Sequence, residues 1–120
     1  MEKSSGKTDI EMDLLQDIEH LVERKQSDPE QVLFLSVILQ ALLDATKKEN
    51  NKESVETKIE RDKAKAWFFS SVGVTAEDFN TVCDIAGVDP SHVRSFAFKV
   101  LKSKEIKFVR KRINAVLSFD

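Results

Sequence analysis

Residues 32–43, VLFLSVILQALL, follow the helix-start signal Ser27-Asp28-Pro29-Glu30: a capping side chain, a proline near the first turn, an acid at the positive end of the dipole. The helix so opened, expected over 29–48, is apolar on nearly every face. Val32, Leu33, Phe34, Leu35, Val37, Ile38, Leu39, Ala41, Leu42 and Leu43 cannot all be covered by one neighbour. Such a helix must sit centrally among others or be shared with a second chain. At about twelve residues, with Ser36 and Gln40 inside it, the run falls short of the roughly 20 a bilayer span needs, so no membrane is expected.

The rest of the 120 residues reads the same way. Three glycines and two prolines leave few turn residues for a many-stranded sheet, and 33% charged residues with 41% apolar ones suit amphipathic helices around a core. The expectation is an all-α fold of five to six helices. Residues 1–8 read as a disordered tail, and 9–48 as an N-terminal helical oligomerisation region. In that region Ile10, Leu14, Ile18, Leu21 and Val22 recur at helical spacing as far as Lys25. A polar linker is expected over 49–57, and a C-terminal helix-turn-helix region over 58–120. Within the latter, a helix over 58–70 ends in Trp67-Phe68-Phe69, and Gly73 turns the chain. Thr75 is expected to cap the next helix, with Asp78 in the capping-box position. Gly87 ends that helix, while Asp89 and Pro90 start another that runs to Lys102. A last helix, 104–118, carries Ile106, Val109, Ile113, Val116 and Leu117 on one stripe and a basic opposite face.

The segment FNTVCDIAGVDPSHVRSFAF, 79–98, has the spacing of a helix-turn-helix. Small Cys83 lies four residues before the turn glycine Gly87, and Val93 and Phe96 follow that glycine by six and nine. Phe79 and Val82 supply the first helix's inner face, and Val88 plugs the turn. The second helix then presents Ser91, His92, Arg94, Ser95 and Lys99 outward. Arg94 suits guanine, and the serines suit phosphates or base edges. Lys102, Lys104, Lys107, Arg110 and Lys111 are expected to grip the backbone.

Charge is unevenly spread. Residues 1–60 hold 8 Lys/Arg against 14 Asp/Glu, and residues 61–120 hold 11 against 7. Between 91 and 112 eight cations face Glu105 alone. A local cationic face draws a polyanion whatever the whole-chain net charge of -2, and double-stranded DNA is the expected partner. The competing reading is a solvated helix face beside an ordinary helical corner.

Catalysis is not expected. One cysteine and two histidines complete no metal-ligand spacing, and a Cys83–His92 pair lacks an orienting acid. No phosphate-cradling glycine loop or nucleophile elbow is present, so neither cofactor nor metal is expected. Trp67-Phe68-Phe69 could stack on bases but reads first as core. The lone Cys83 and the absence of a secretory leader fit a reducing, cytoplasmic setting.

Across roughly 35–95 the chain resembles a pattern in small phage and prophage helix-turn-helix proteins. There a helix ending Ala-x-x-Trp-Phe leads to Phe-x-x-Val-Cys-x-x-x-Gly-x-Asp-Pro-x-x-Val-Arg. Trp67, Cys83, Gly87, Asp89, Pro90 and Arg94 fall in register. The resemblance implies a phage or mobile-element DNA-binding protein, acting in the host cytoplasm, rather than a named activity. The acidic N-terminal arm and the basic last helix lie outside it. Three roles stay open: transcription regulator, small terminase subunit recognising packaging DNA, or a protein-interaction module whose basic face docks an acidic partner. A dimer fits the first and a ring the second.

Overall fold

A computed structural model describes residues 16, 17, 19–21 and 28–118. The expected tail over 1–8 and most of the helix expected over 9–25 lie outside them. Residues 16, 17 and 19–21 are helical, and no strand occurs among the described residues. Five helices follow: α1 Pro29–Ala45, α2 Val55–Phe69, α3 Val74–Ala86, α4 Pro90–Lys102 and α5 Ile106–Leu117. The all-α expectation holds, and no described helix is long and apolar enough to cross a membrane.

Two Asp-Pro pairs start helices in the same way. The Asp28 carboxylate accepts from Glu30 N at 2.8 Å and the Asp89 carboxylate from Ser91 N at 3.0 Å, each with the proline in the first turn. Gly87 closes α3 in the left-handed region, φ +79°, where a Cβ is strained. Val88 N–H then reaches back to Cys83 O at 3.0 Å, and Val88 itself is buried.

Other boundaries differ from the expectation. α1 stops at Ala45, not 48, because the Thr46 hydroxyl donates to Leu42 O at 2.7 Å and closes the last turn. α2 begins at Val55, inside the tract read as linker, because the Ser54 hydroxyl accepts from Thr57 N at 3.1 Å. Thr75 caps nothing: the N-cap lies two residues earlier, at Gly73 (φ +93°), with no side-chain cap bond. Asp78, expected to complete the capping box, instead accepts from Trp67 Nε1 at 2.7 Å. α5 spans 106–117, slightly inside the expected 104–118.

α1 is the hub and packs against α2, α3 and α5. Its inner face, Leu35, Ile38, Leu39, Leu42 and Leu43, is buried, yet Leu33 is 61% and Val37 42% exposed. Among the described residues, its neighbours leave part of its apolar surface open. Phe68 and Phe79 lie at the core's centre, fully buried, with Trp67 edge-on to both at 5.3 and 5.0 Å. Phe69 is half-buried and also packs against this core. The aromatic cluster is therefore core rather than a stacking platform.

Candidate nucleic-acid interface

The α3–α4 corner is built as its spacing requires. Phe79, Val82 and Cys83 of α3 meet Val93, Phe96, Ala97 and Val100 of α4 in one buried cluster. Cys83 is fully buried, and desolvation pushes its thiol up to about 12, where the reactive thiolate is not available near neutrality. His92 is exposed, so no nucleophilic pair forms with the buried sulfur. Among the described residues no group of three or more His, Cys, Asp or Glu side chains gathers.

With the apolar positions of α4 turned inward, Ser91, His92, Ser95, Lys99 and Lys102 remain exposed. Phe98 joins them, 53% exposed, with Lys102 Nζ 4.5 Å from its ring centroid. The spacing 91, 95, 98, 102 is itself a helical stripe, so Phe98 was legible as an outward residue and was missed.

Arg94 departs from the expectation that it faces solvent. Its Nε donates to Phe68 O at 2.8 Å, and its guanidinium lies 4.8 Å over the Phe79 ring. Held this way, it ties the start of α4 to the end of α2 and caps an aromatic face. Its place is that of a strut, with its Nε committed to the Phe68 carbonyl.

Arg110 is likewise turned inward. One terminal nitrogen donates to Leu43 O at 2.5 Å and to Thr46 Oγ1 at 2.7 Å. A cation there satisfies the end of α1, where carbonyls lack intrahelical partners and the dipole is negative. Arg112 meets Glu19 at 2.6 Å, a contact that holds the Glu19 carboxyl below its ordinary range through the hydrogen bond. Asp17 lies 3.7 Å from His92 Nε2 and 3.9 Å from Lys99 Nζ. Asp17 and Glu19 thus bring acids to the edge of the α4 and α5 surfaces, an arrangement no local sequence signal carries.

The ten residues expected to touch DNA therefore divide. Ser91, His92, Ser95, Lys99 and Lys102 form the open face of α4. Lys104, Lys107 and Arg110 instead line a cleft with α2 and the 46–53 turn. Lys111 is exposed on α5, and Arg94 is half-buried, bonded to the Phe68 carbonyl while still bordering the α4 face beside Ser91, Ser95 and Phe98.

Neither family models, nor curated proteins, nor solved structures give a match to this chain.

Proposed function

We propose that the protein binds double-stranded DNA without catalysis, with α4 as the helix that enters the major groove. The observation that supports this reading best is the division of α4. Val93, Phe96, Ala97 and Val100 are consumed by the corner, while Ser91, Ser95, Lys99 and Lys102 are left as hydrogen-bonding and cationic groups on the opposite side. The serines are the candidates for base edges, and Lys99, Lys102 and Lys111 for phosphates. Arg94 acts through the fold in this reading, by fixing the angle at which α4 leaves the corner.

A single module of this size makes a weak contact, and self-association multiplies it. The open side of α1 supports that step: Leu33 and Val37 lie one turn apart beside a groove of about 740 Å³ whose lining includes Ala41, Ala64 and Trp67. The role drawn from this is that of a regulator from a phage or other mobile element acting as a dimer. A ring of eight or more subunits would turn the same interface into that of a terminase small subunit.

The test is site selection from a random duplex pool, with solution mass measured on the same sample. The reading expects an enriched sequence and a Ser95→Ala variant that loses preference at one position of it. A pool that shows no enrichment while acidic proteins still bind would replace DNA with a protein partner.

A further inference from the structure

The largest concentration of cations does not lie on α4. A cleft of about 820 Å³ opens between α2, the turn after α1 and the α4–α5 junction. Lys65 and Arg61 come from α2, Lys48 from the turn, and Lys104, Lys107 and Arg110 from the junction and α5. Two acids, Glu49 and Glu53, share this lining, and Glu53 is committed: both its oxygens hold the Arg61 guanidinium, at 2.8 and 2.6 Å. Lys47, also at the cleft, is tied to Glu60 at 2.8 Å. Among the described residues, Lys48, Lys65, Lys104 and Lys107 have no carboxylate within salt-bridge distance.

Arg61 sets this cleft apart from a solvated basic face. It is 3% exposed, and although Glu53 occupies its two terminal nitrogens, its buried Nε has no hydrogen-bond partner. A buried guanidinium with an idle donor is costly unless something satisfies it. Four further lysines around it leave an excess of positive charge that Glu49, the uncommitted acid of the lining, offsets only in part. Leu101 and Ile106 add an apolar element, and Thr57 and Ser103 add hydroxyls. Small-ligand sites combine these features, and their volumes run from about 300 to 1,000 Å³.

We propose that this cleft binds a compact oligophosphate, a small molecule with two or more linked phosphate groups such as a nucleoside polyphosphate. Lys104 and Lys107 would hold one phosphate from the α5 side, and Lys65 with Lys48 another from the side of α2 and the turn. Cations on both walls are what two linked phosphate groups would engage together. A duplex presents its phosphates on a convex cylinder, which suits the open face of α4 better than a recess. The cleft borders the last turn of α4 at Leu101, so an occupant would bear on the helix proposed to enter DNA. The binding site itself does not depend on the DNA reading.

Isothermal titration of the full chain with tripolyphosphate, and separately with ATP, tests this, with melting curves recorded for every variant. The expected result is saturable one-to-one binding that the triple change Lys65→Ala, Lys104→Ala, Lys107→Ala weakens at least tenfold. Lys99→Glu with Lys102→Glu, on the α4 face, should alter it less than twofold. Tighter binding of ATP than of tripolyphosphate would place the nucleoside against Leu101 and Ile106, and equal binding would identify the phosphates as the whole ligand. Both rankings uphold the site. It is overturned if neither compound binds at millimolar concentration in low salt. It is also overturned if the triple variant binds as the parent does. Displacement of tripolyphosphate by a short duplex, with the triple variant losing the duplex as well, would assign the cleft to the DNA backbone and overturn the small-ligand site.

Discussion

The α3–α4 corner and the α1 helix are both rich in apolar residues, and they dispose of them differently. In the corner Phe79, Val82, Val93, Phe96 and Val100 are buried, Phe98 stays 53% exposed against Phe69 and Lys102, and what else stays exposed on α4 is polar or cationic. In α1 the inner face is filled, and Leu33 and Val37 are left over. A surplus of polar groups on a rigid corner suits a polyanion. A surplus of apolar groups beside a groove suits a second copy of the chain. In the proposed reading, one small fold separates a surface for recognition from a surface for association.

Core truncation on the corner side should have the largest effect. Phe79→Ala removes a fully buried ring that meets Trp67, Phe68 and Arg94, and should cost about 3–5 kcal/mol by denaturant melting. Leu33→Ser on α1 should leave the melting midpoint nearly unchanged at low protein concentration and lower the solution mass instead. If Leu33→Ser unfolds the chain as Phe79→Ala does, the contrast between the two regions fails. Next comes Arg94→Ala, expected to cost about 1–2 kcal/mol because it loses both the bond to Phe68 O and the ring contact. A variant with unchanged stability but weaker DNA binding would restore Arg94 to the reading surface. Gly87→Ala should cost about 1–2 kcal/mol, the penalty of a Cβ in the left-handed region.

A pH effect sharpens the same comparison, since the corner buries the only thiol. Cys83 is held neutral to about 12, whereas an unfolded chain's thiol ionises near its ordinary value, about 8.5. Between these values the unfolded state binds fewer protons, so stability must fall as pH rises through this window. Cys83→Ala should flatten that part of the profile, and an unchanged slope would contradict the buried thiol. The smallest effect is expected at Asp17→Asn. Removing an exposed-edge acid beside His92 and Lys99 should raise duplex affinity by about twofold.

Much of this architecture is written locally. Asp28-Pro29 and Asp89-Pro90 each fix a helix start within three residues, Gly87 fixes a helix end, and the inward set Phe79, Val82, Cys83, Val93 and Phe96 follows from period alone. What the sequence does not display are partners distant along the chain. Arg94 finds Phe68 O 26 residues away, and Arg110 finds Leu43 and Thr46 more than 60 away. Both were read outward because a cation at a half-exposed helical position looks the same whether water or a carbonyl receives it. The cationic residues therefore appeared as one stripe, and only packing divides them between α4 and the cleft. Thr75 shows the converse failure. A valid cap residue goes unused because Gly73, at positive φ, already sits at the N-cap two residues earlier.

The measurement closest to the central claim is the salt dependence of duplex binding for the parent and for Lys99→Glu with Lys102→Glu. Counterion release makes log K fall with log salt by about 0.9 per phosphate neutralised. The account predicts a parent slope that the double variant reduces by about 2, at unchanged melting temperature. Parallel lines of equal slope for the two proteins would mean that α4 does not face the DNA backbone, and would contradict the account.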